Sequence, residues 1–232
     1  MKIVGFQKLS LVDYPNKMAC IIFTEGCNYR CPFCYNSSLV YDKSNQTYTE
    51  EDIFRYLRKR KGIIDAICIS GGEPTLQKDL IDFLKRLREE HVLIKLDTNG
   101  SNPDILKEII DAKLVDYIAM DIKNVIEKYA ITTGIDNINT NNILKSINLL
   151  KEGQVDYEFR TTIVKEFHTM DDIKAMSKLV KGSKYYLQNF EDNENVCYEG
   201  LHSFTEEELI EIEKDNKNLT IRGFIHNKKE EE

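Results

Sequence analysis

Tryptophan is missing from the 232 residues, and proline and histidine occur only four times each. Positive charge is in the minority: 32 Lys and Arg stand against 39 Asp and Glu, a formal charge of -7. That balance argues against a nucleic-acid partner, whose affinity would rest on cationic side chains at phosphates. The densest basic stretch, residues 55–61 (RYLRKRK), falls on a helical pattern and reads as a solvated face. No apolar run approaches the roughly 18–20 residues of a membrane span, so no membrane partner is expected. The opening MKIVGFQKLSLVDYP lacks the long apolar stretch of a signal peptide, and the protein is expected in the cytoplasm.

Apolar residues make up 41% of the chain and charged residues 31%, an ordinary balance for a folded domain, and the length suits one hydrophobic core. One domain is expected over residues 1–232, with its core at 18–190, a strand and helix extension at 191–225 and a frayed tail at 226–232. No internal repeat is evident. A pattern does recur: a short apolar run, a polar turn, then an amphipathic helix. The runs are residues 18–23, 66–70, 92–96, 115–120, 157–164 and 185–187, with a further one at 219–225 as a last strand. Thr49, Asn102, Thr169 and Thr205 stand where helix caps belong, and Pro103 follows Asn102 at a first turn. Leu80, Phe83, Leu84 and Leu87 share one helix face, as do Ile143, Ile147 and Leu150, and Ile173, Met176 and Val180.

Strands alternating with helices imply a parallel sheet with helices outside it. Six such units are too few for a closed eight-stranded barrel. The expected fold is therefore α/β, a partial (β/α)6 barrel of parallel strands. Ligands in such folds sit at the carboxyl ends of the strands. The runs end in Cys27, Cys31 and Cys34, then Gly71-Gly72-Glu73-Pro74, Asp97-Thr98-Asn99-Gly100, Asp121-Ile122-Lys123 and Gln188-Asn189, and Arg160 lies within the fifth run. Polar groups thus gather at one rim.

Six cysteines are present, and three crowd into the stretch GCNYRCPFCYN as C-x3-C-x2-C. Clustered cysteines in a reducing compartment point to metal or redox chemistry. Three thiolates on a four-iron cluster leave one iron open to an exogenous ligand. A structural zinc site would need a fourth ligand, and no histidine lies near this loop. A zinc module and an electron-transfer cluster with a distant fourth ligand stay open on these residues alone. Cys20 and Cys68, inside apolar runs, read as core. Cys197 is isolated.

The C-x3-C-x2-C spacing with Phe33 before the third cysteine resembles the signature of the radical S-adenosylmethionine superfamily, and Gly71-Gly72-Glu73 resembles the motif at the end of its second strand. The resemblance implies a [4Fe–4S] cluster on Cys27, Cys31 and Cys34 and S-adenosylmethionine chelating the open iron. The glycines would let the backbone approach the cofactor, and Glu73 would accept hydrogen bonds from its ammonium. Asp97-Thr98-Asn99-Gly100 and Asp121-Ile122-Lys123 are similar to the strand ends of glycyl radical activating enzymes. That likeness brings Asp97 and Lys123 to the methionine moiety and Asp121 beside a monovalent cation, with Arg160 near the same pocket. The catalytic candidates are then Cys27, Cys31, Cys34, Lys123 and Arg160. The cofactor-binding candidates are Phe33, Tyr35, Gly71, Gly72, Glu73, Asp97, Thr98, Asp121, Lys123 and Gln188. The opening stretch Gly5-Phe6-Gln7-Lys8 through Asp13-Tyr14-Pro15 is similar to activating proteins of anaerobic ribonucleoside-triphosphate reductase. It implies such a glycyl radical enzyme as partner and a flavodoxin- or ferredoxin-type electron donor. A radical enzyme with a small-molecule substrate is the competing expectation.

Overall fold

The computed structural model describes residues 1–41, 48–196 and 198–223. The strands are β1 Ile3–Ser10, β2 Ala19–Thr24, β3 Ala66–Gly71, β4 Leu93–Thr98, β5 Tyr117–Asp121, β6 Asp156–Ile163, β7 Tyr185–Asn189 and β8 Thr220–Arg222, and each expected apolar run falls on one of β2 to β8. The helices are α1 Ser37–Tyr41, α2 Glu50–Lys59, α3 Leu80–Glu89, α4 Pro103–Asp111, α5 Tyr129–Thr133, α6 Thr140–Lys151, α7 Met170–Leu179 and α8 Glu206–Asp215. No described helix is long and apolar enough to cross a membrane.

The eight strands form one sheet in chain order. Strands β2 to β8 run parallel, and β1 pairs antiparallel with β2. β1 and β8 are its two edges, so among the described residues the barrel is open on one side. One strand, β1, exceeds the sequence expectation, while β8 falls within the last strand expected at 219–225. β1 escaped that expectation because its burial is weak and irregular, with three consecutive exposed residues. β8 is only three residues long, and residues 224 and 225 of the expected last strand lie outside the described part. The predicted tail at 226–232 and Cys197 lie outside it too.

Side chains alternate between the faces of each strand. In β3, Ile67 and Ile69 face the large core shared with the helices, while Ala66 and Cys68 face a smaller inner cluster with Tyr14, Ala19, Ile21 and Tyr117. On α3, Leu80, Phe83, Leu84 and Leu87 are all buried, and each such side chain is worth roughly 1.5–3 kcal/mol over exposure. Thr49, Thr169 and Thr205 each close a capping box with Asp52, Asp172 and Glu208. Asn102 does not cap α4 with its side chain; its amide donates instead to Thr75 Oγ1 at 3.0 Å. With Pro103 at the first turn one orphan N–H is already gone, which leaves Asn102 available to tie α4 to the turn after β3.

Register decides what meets at the rim. Asp97 of β4 lies opposite Ala119, two residues before Asp121 on the same face of β5, and Asp121 is paired with Arg160 of β6. Three charged side chains from three strands are thereby placed side by side.

Candidate active site

A cavity of about 340 Å³ opens at the carboxyl ends of the strands. All the residues singled out above as site candidates line it: Cys27, Cys31, Cys34, Phe33, Tyr35, Gly71, Gly72, Glu73, Asp97, Thr98, Asp121, Lys123, Arg160 and Gln188. Its size is within the range usual for small-molecule and cofactor pockets.

The cysteine loop is held by backbone contacts. Arg30 N donates to Thr133 O at 2.7 Å, and the Arg30 guanidinium donates to the carbonyls of Cys27 and Tyr29 at 2.6 and 2.7 Å. Glu73 N donates to Gly26 O at 2.8 Å, and Gly72 N to Thr24 O at 2.9 Å. The two glycines after β3 serve this closure. A Cβ on Gly72 would lie 1.9 Å from Gly26 O, and one on Gly71, at φ +117, 2.2 Å from Thr24 N. The same two glycines line the cavity and also admit the cysteine loop, because the chain leaving β3 packs directly on the chain leaving β2.

Cys27 Sγ accepts a weak contact from Tyr29 N at 3.4 Å and lies 3.9 Å from Asn99 Nδ2. Burial pushes the Cys27 thiol up to about 11 and the Cys31 thiol up to about 12. Both prefer to stay protonated until a positive centre compensates the thiolate, which a metal cluster would supply. Among the described residues no three His, Cys, Asp or Glu side chains are gathered closely enough for a single metal ion; the three cysteines line one cavity. Phe33 is buried against Phe167 and His168, with ring centroids at 5.6 and 6.2 Å. Tyr35 stacks on Phe190, and its hydroxyl accepts from Glu191 N at 2.8 Å.

Glu73 is 1% exposed. Its Oε1 accepts from Thr75 N, Thr75 Oγ1 and Thr98 Oγ1 at 3.1, 2.6 and 2.8 Å, and its Oε2 from Asn99 N at 2.7 Å. Oε1 is therefore spent on the fold, and Oε2 keeps acceptor capacity toward the cavity. Burial raises the Glu73 carboxyl, four hydrogen bonds notwithstanding. It forms no ion pair among the described residues, so an arriving ammonium would meet an unmatched carboxylate.

Asp97, Asp121, Lys123 and Arg160 form a chain of ion pairs. Arg160 reaches Asp121 Oδ1 at 2.9 Å and Asp97 Oδ2 at 3.5 Å, and Lys123 reaches Asp121 Oδ2 at 3.1 Å. Burial opposes the charge on Asp121, but Arg160 and Lys123 outweigh it and hold the carboxyl down at about 2. The same pairs raise Lys123 and Arg160 against the burial that would lower them. The Lys123 backbone is clamped as well: its N–H donates to the Tyr129 hydroxyl at 3.1 Å, and its carbonyl lies 2.8 Å from His168 Nε2.

Residues 21–180 match the radical SAM superfamily. The chain belongs to that superfamily. It is 38% identical over 229 residues, 94% of each chain, to a protein of Methanocaldococcus jannaschii that bears the name of a glycyl-radical enzyme activating enzyme. It is 27% identical to the pyruvate formate-lyase-activating enzyme of Clostridium pasteurianum, over 86% of this chain and 83% of that one. A domain of the corresponding enzyme from Bacteroides vulgatus superposes with a TM-score of 0.55 at 20% identity, over 67% of this chain and 98% of that one, a likeness of fold alone.

The protein is thus a radical SAM enzyme, and the cofactors of that superfamily are a [4Fe–4S] cluster and S-adenosylmethionine. The residues present fit both: three thiols of one loop on one cavity, and beside them a buried carboxylate without a cation. The buried Tyr29 hydroxyl of the cavity wall also lacks a hydrogen-bond partner among the described residues. Sequence reasoning missed Asn99, whose amide donates to Asn28 Oδ1 at 2.9 Å and joins the β4 end to the cysteine loop. It also missed Asp13 and Thr162 in the cavity wall and Lys95 behind it. Lys95 had a visible signal, a lysine in the middle of the apolar run VLIKL.

Proposed function

We propose that this radical SAM protein activates a glycyl radical enzyme, with anaerobic ribonucleoside-triphosphate reductase as its partner. The observation that carries this reading is the cavity itself. Three cysteines, a cation-free buried carboxylate and a chain of ion pairs share one wall, at the rim of a sheet open on one side. In this reading Cys27, Cys31 and Cys34 hold the cluster as thiolates and leave one iron for the cofactor. When bound, the two cofactors supply one-electron cleavage of the sulfur–C5′ bond, which yields methionine and a 5′-deoxyadenosyl radical. Glu73 Oε2 takes the ammonium of the methionine moiety, while Lys123 and Arg160 face its carboxylate. Phe33, Tyr35 and Gln188 line the same cavity and would pack around the cofactor. The ion pair with Asp121 holds the Lys123 ammonium and the contacts of its backbone fix the chain that carries it, so little ordering is left for the reaction.

The hydrogen abstracted comes from a backbone glycine of the partner. A glycine-bearing loop can leave its fold and pass the open side because it has no side chain to obstruct it. The electron comes from a flavodoxin- or ferredoxin-type donor. The likeness of the opening stretch to reductase-activating proteins, with the 38% identity to a protein named as a glycyl-radical enzyme activating enzyme, supports this partner over a small metabolite. The decisive experiment mixes reduced protein, S-adenosylmethionine and the anaerobic reductase of the same cell. Electron paramagnetic resonance should show a protein radical doublet that collapses when the glycine α-hydrogen is replaced by deuterium. Consumption of a small metabolite with no protein radical on any candidate partner would sink the reading.

A further inference from the structure

Lys95 stands in the middle of β4 with its side chain 2% exposed. It precedes Asp97 by two residues, so both point to the inner face. Its ammonium lies 3.0 Å from Asp97 Oδ1 and donates to the Asp13 carbonyl at 2.6 Å. With Lys123 and Arg160 it makes three cationic groups on two carboxylates. Each of the four oxygens of Asp97 and Asp121 has a cationic nitrogen within 3.5 Å.

Likeness to activating enzymes led to the expectation of a monovalent cation beside Asp121. The residues present do not fit one. A bound alkali ion needs carboxylate or carbonyl oxygens whose charge is still unmatched. Here both carboxylates are charge-paired from within the chain, although Asp97 Oδ1 accepts no hydrogen bond among the described residues, and a further cation would sit among three positive groups at close range. The surplus within this group is already positive, and Lys123 and Arg160 line the cavity.

We propose that Lys95 is a positioning residue that serves as a built-in monovalent cation, fixing Asp97 at the pocket so that S-adenosylmethionine binds without Na⁺ or K⁺. The inference rests on the cofactor pocket proposed above. A tethered ammonium is present at full occupancy, whereas an ion from solution must be captured. Burial by itself would raise the Asp97 carboxyl, yet Arg160 and Lys95 together hold it below its ordinary range. The same ammonium binds the Asp13 carbonyl, so the turn between β1 and β2 is anchored to the pocket through Lys95.

The test measures affinity of the cluster-loaded protein for S-adenosylmethionine in choline, sodium and potassium chloride at equal ionic strength. The wild type should bind within about twofold in all three salts. Lys95→Met should lose about tenfold or more in choline chloride and recover with Na⁺ or K⁺, whereas Lys95→Arg should keep the wild-type behaviour. A purely structural lysine would instead weaken binding equally in every salt, and that result overturns the proposal. So does a wild type that needs Na⁺ or K⁺. Should Lys95→Met fail to fold, ²³Na resonance broadening on the wild type with cofactor bound decides: broadening reversed by K⁺ reveals a captured ion and overturns the proposal, and its absence supports it. Failure to bind S-adenosylmethionine in any salt would overturn the cofactor pocket and this inference with it.

Discussion

At the residue scale, Asp121 shows how the site is charged. Its carboxyl sits at about 2 because Arg160 and Lys123 overcome the burial that would raise it. A carboxyl lowered on folding stabilises the native state above its unfolded value of about 3.9, and the contribution disappears as pH falls toward the folded value. Asp121 is about a third exposed, so solvent screening tempers the effect. The expected outcome is a wild-type advantage over Asp121→Asn in urea unfolding that is full above about pH 4.5 and shrinks steadily toward about pH 2. An advantage unchanged over that range would mean the carboxylate charge adds nothing to folding. Glu73 is the contrasting case: a buried carboxylate held by neutral donors alone, raised rather than lowered. Two acids at or near strand ends thus differ because one has cations built in and the other has neutral donors alone.

At the scale of elements, the critical junction is the chain leaving β3 against the loop leaving β2. Two backbone hydrogen bonds, Gly72 N to Thr24 O and Glu73 N to Gly26 O, close it. Gly72→Ala would put a methyl group 1.9 Å from Gly26 O. The neighbour is backbone, so it cannot rotate away, and the cysteine loop must shift. Purified without air, the wild type should carry about four irons per chain; Gly72→Ala should retain well under half of that while its far-ultraviolet circular dichroism stays native. Full iron content in the variant would show that the closure is not needed to shape the loop. The helices contribute differently. Their apolar faces pack on the sheet, and of the helical residues Val40 of α1 reaches the cavity.

At the scale of the whole molecule, the sheet ends on β8, which supplies Arg222 to the inner face. Its guanidinium donates to Glu158 Oε2 at 2.7 Å and lies 3.9 Å from the Tyr186 ring centroid. Glu158 is 1% exposed and also accepts from the Tyr117 hydroxyl at 2.9 Å. The last strand therefore neutralises a charge buried two strands away. Arg222→Met should destabilise the fold by roughly 1–3 kcal/mol, because a buried carboxylate is left with one neutral donor. Adding Glu158→Gln should recover most of that loss in denaturant titrations. If the double variant is as unstable as the sum of the singles, the pair is not coupled.

The sequence by itself determined the strand–helix order, the faces of α3, α6 and α7, three capping boxes and every residue type on the cavity wall that the superfamily motifs name. Those are local properties: a period of 2 or 3.6, a threonine three residues before an acid, cysteines at fixed spacing. What only the tertiary structure decided is pairing between distant residues. Antiparallel β1 carries too little regular apolar signal to be seen as a strand. The close approach of Gly72 to Gly26 depends on how two strand exits pack. Asn102 abandons its cap for Thr75, and Asn99 reaches Asn28, because those partners lie far apart in the chain. The role of Lys95 likewise follows from strand register, which sets Asp97, Asp121 and Arg160 side by side and makes a lone lysine inside an apolar run one of three cations on two carboxylates.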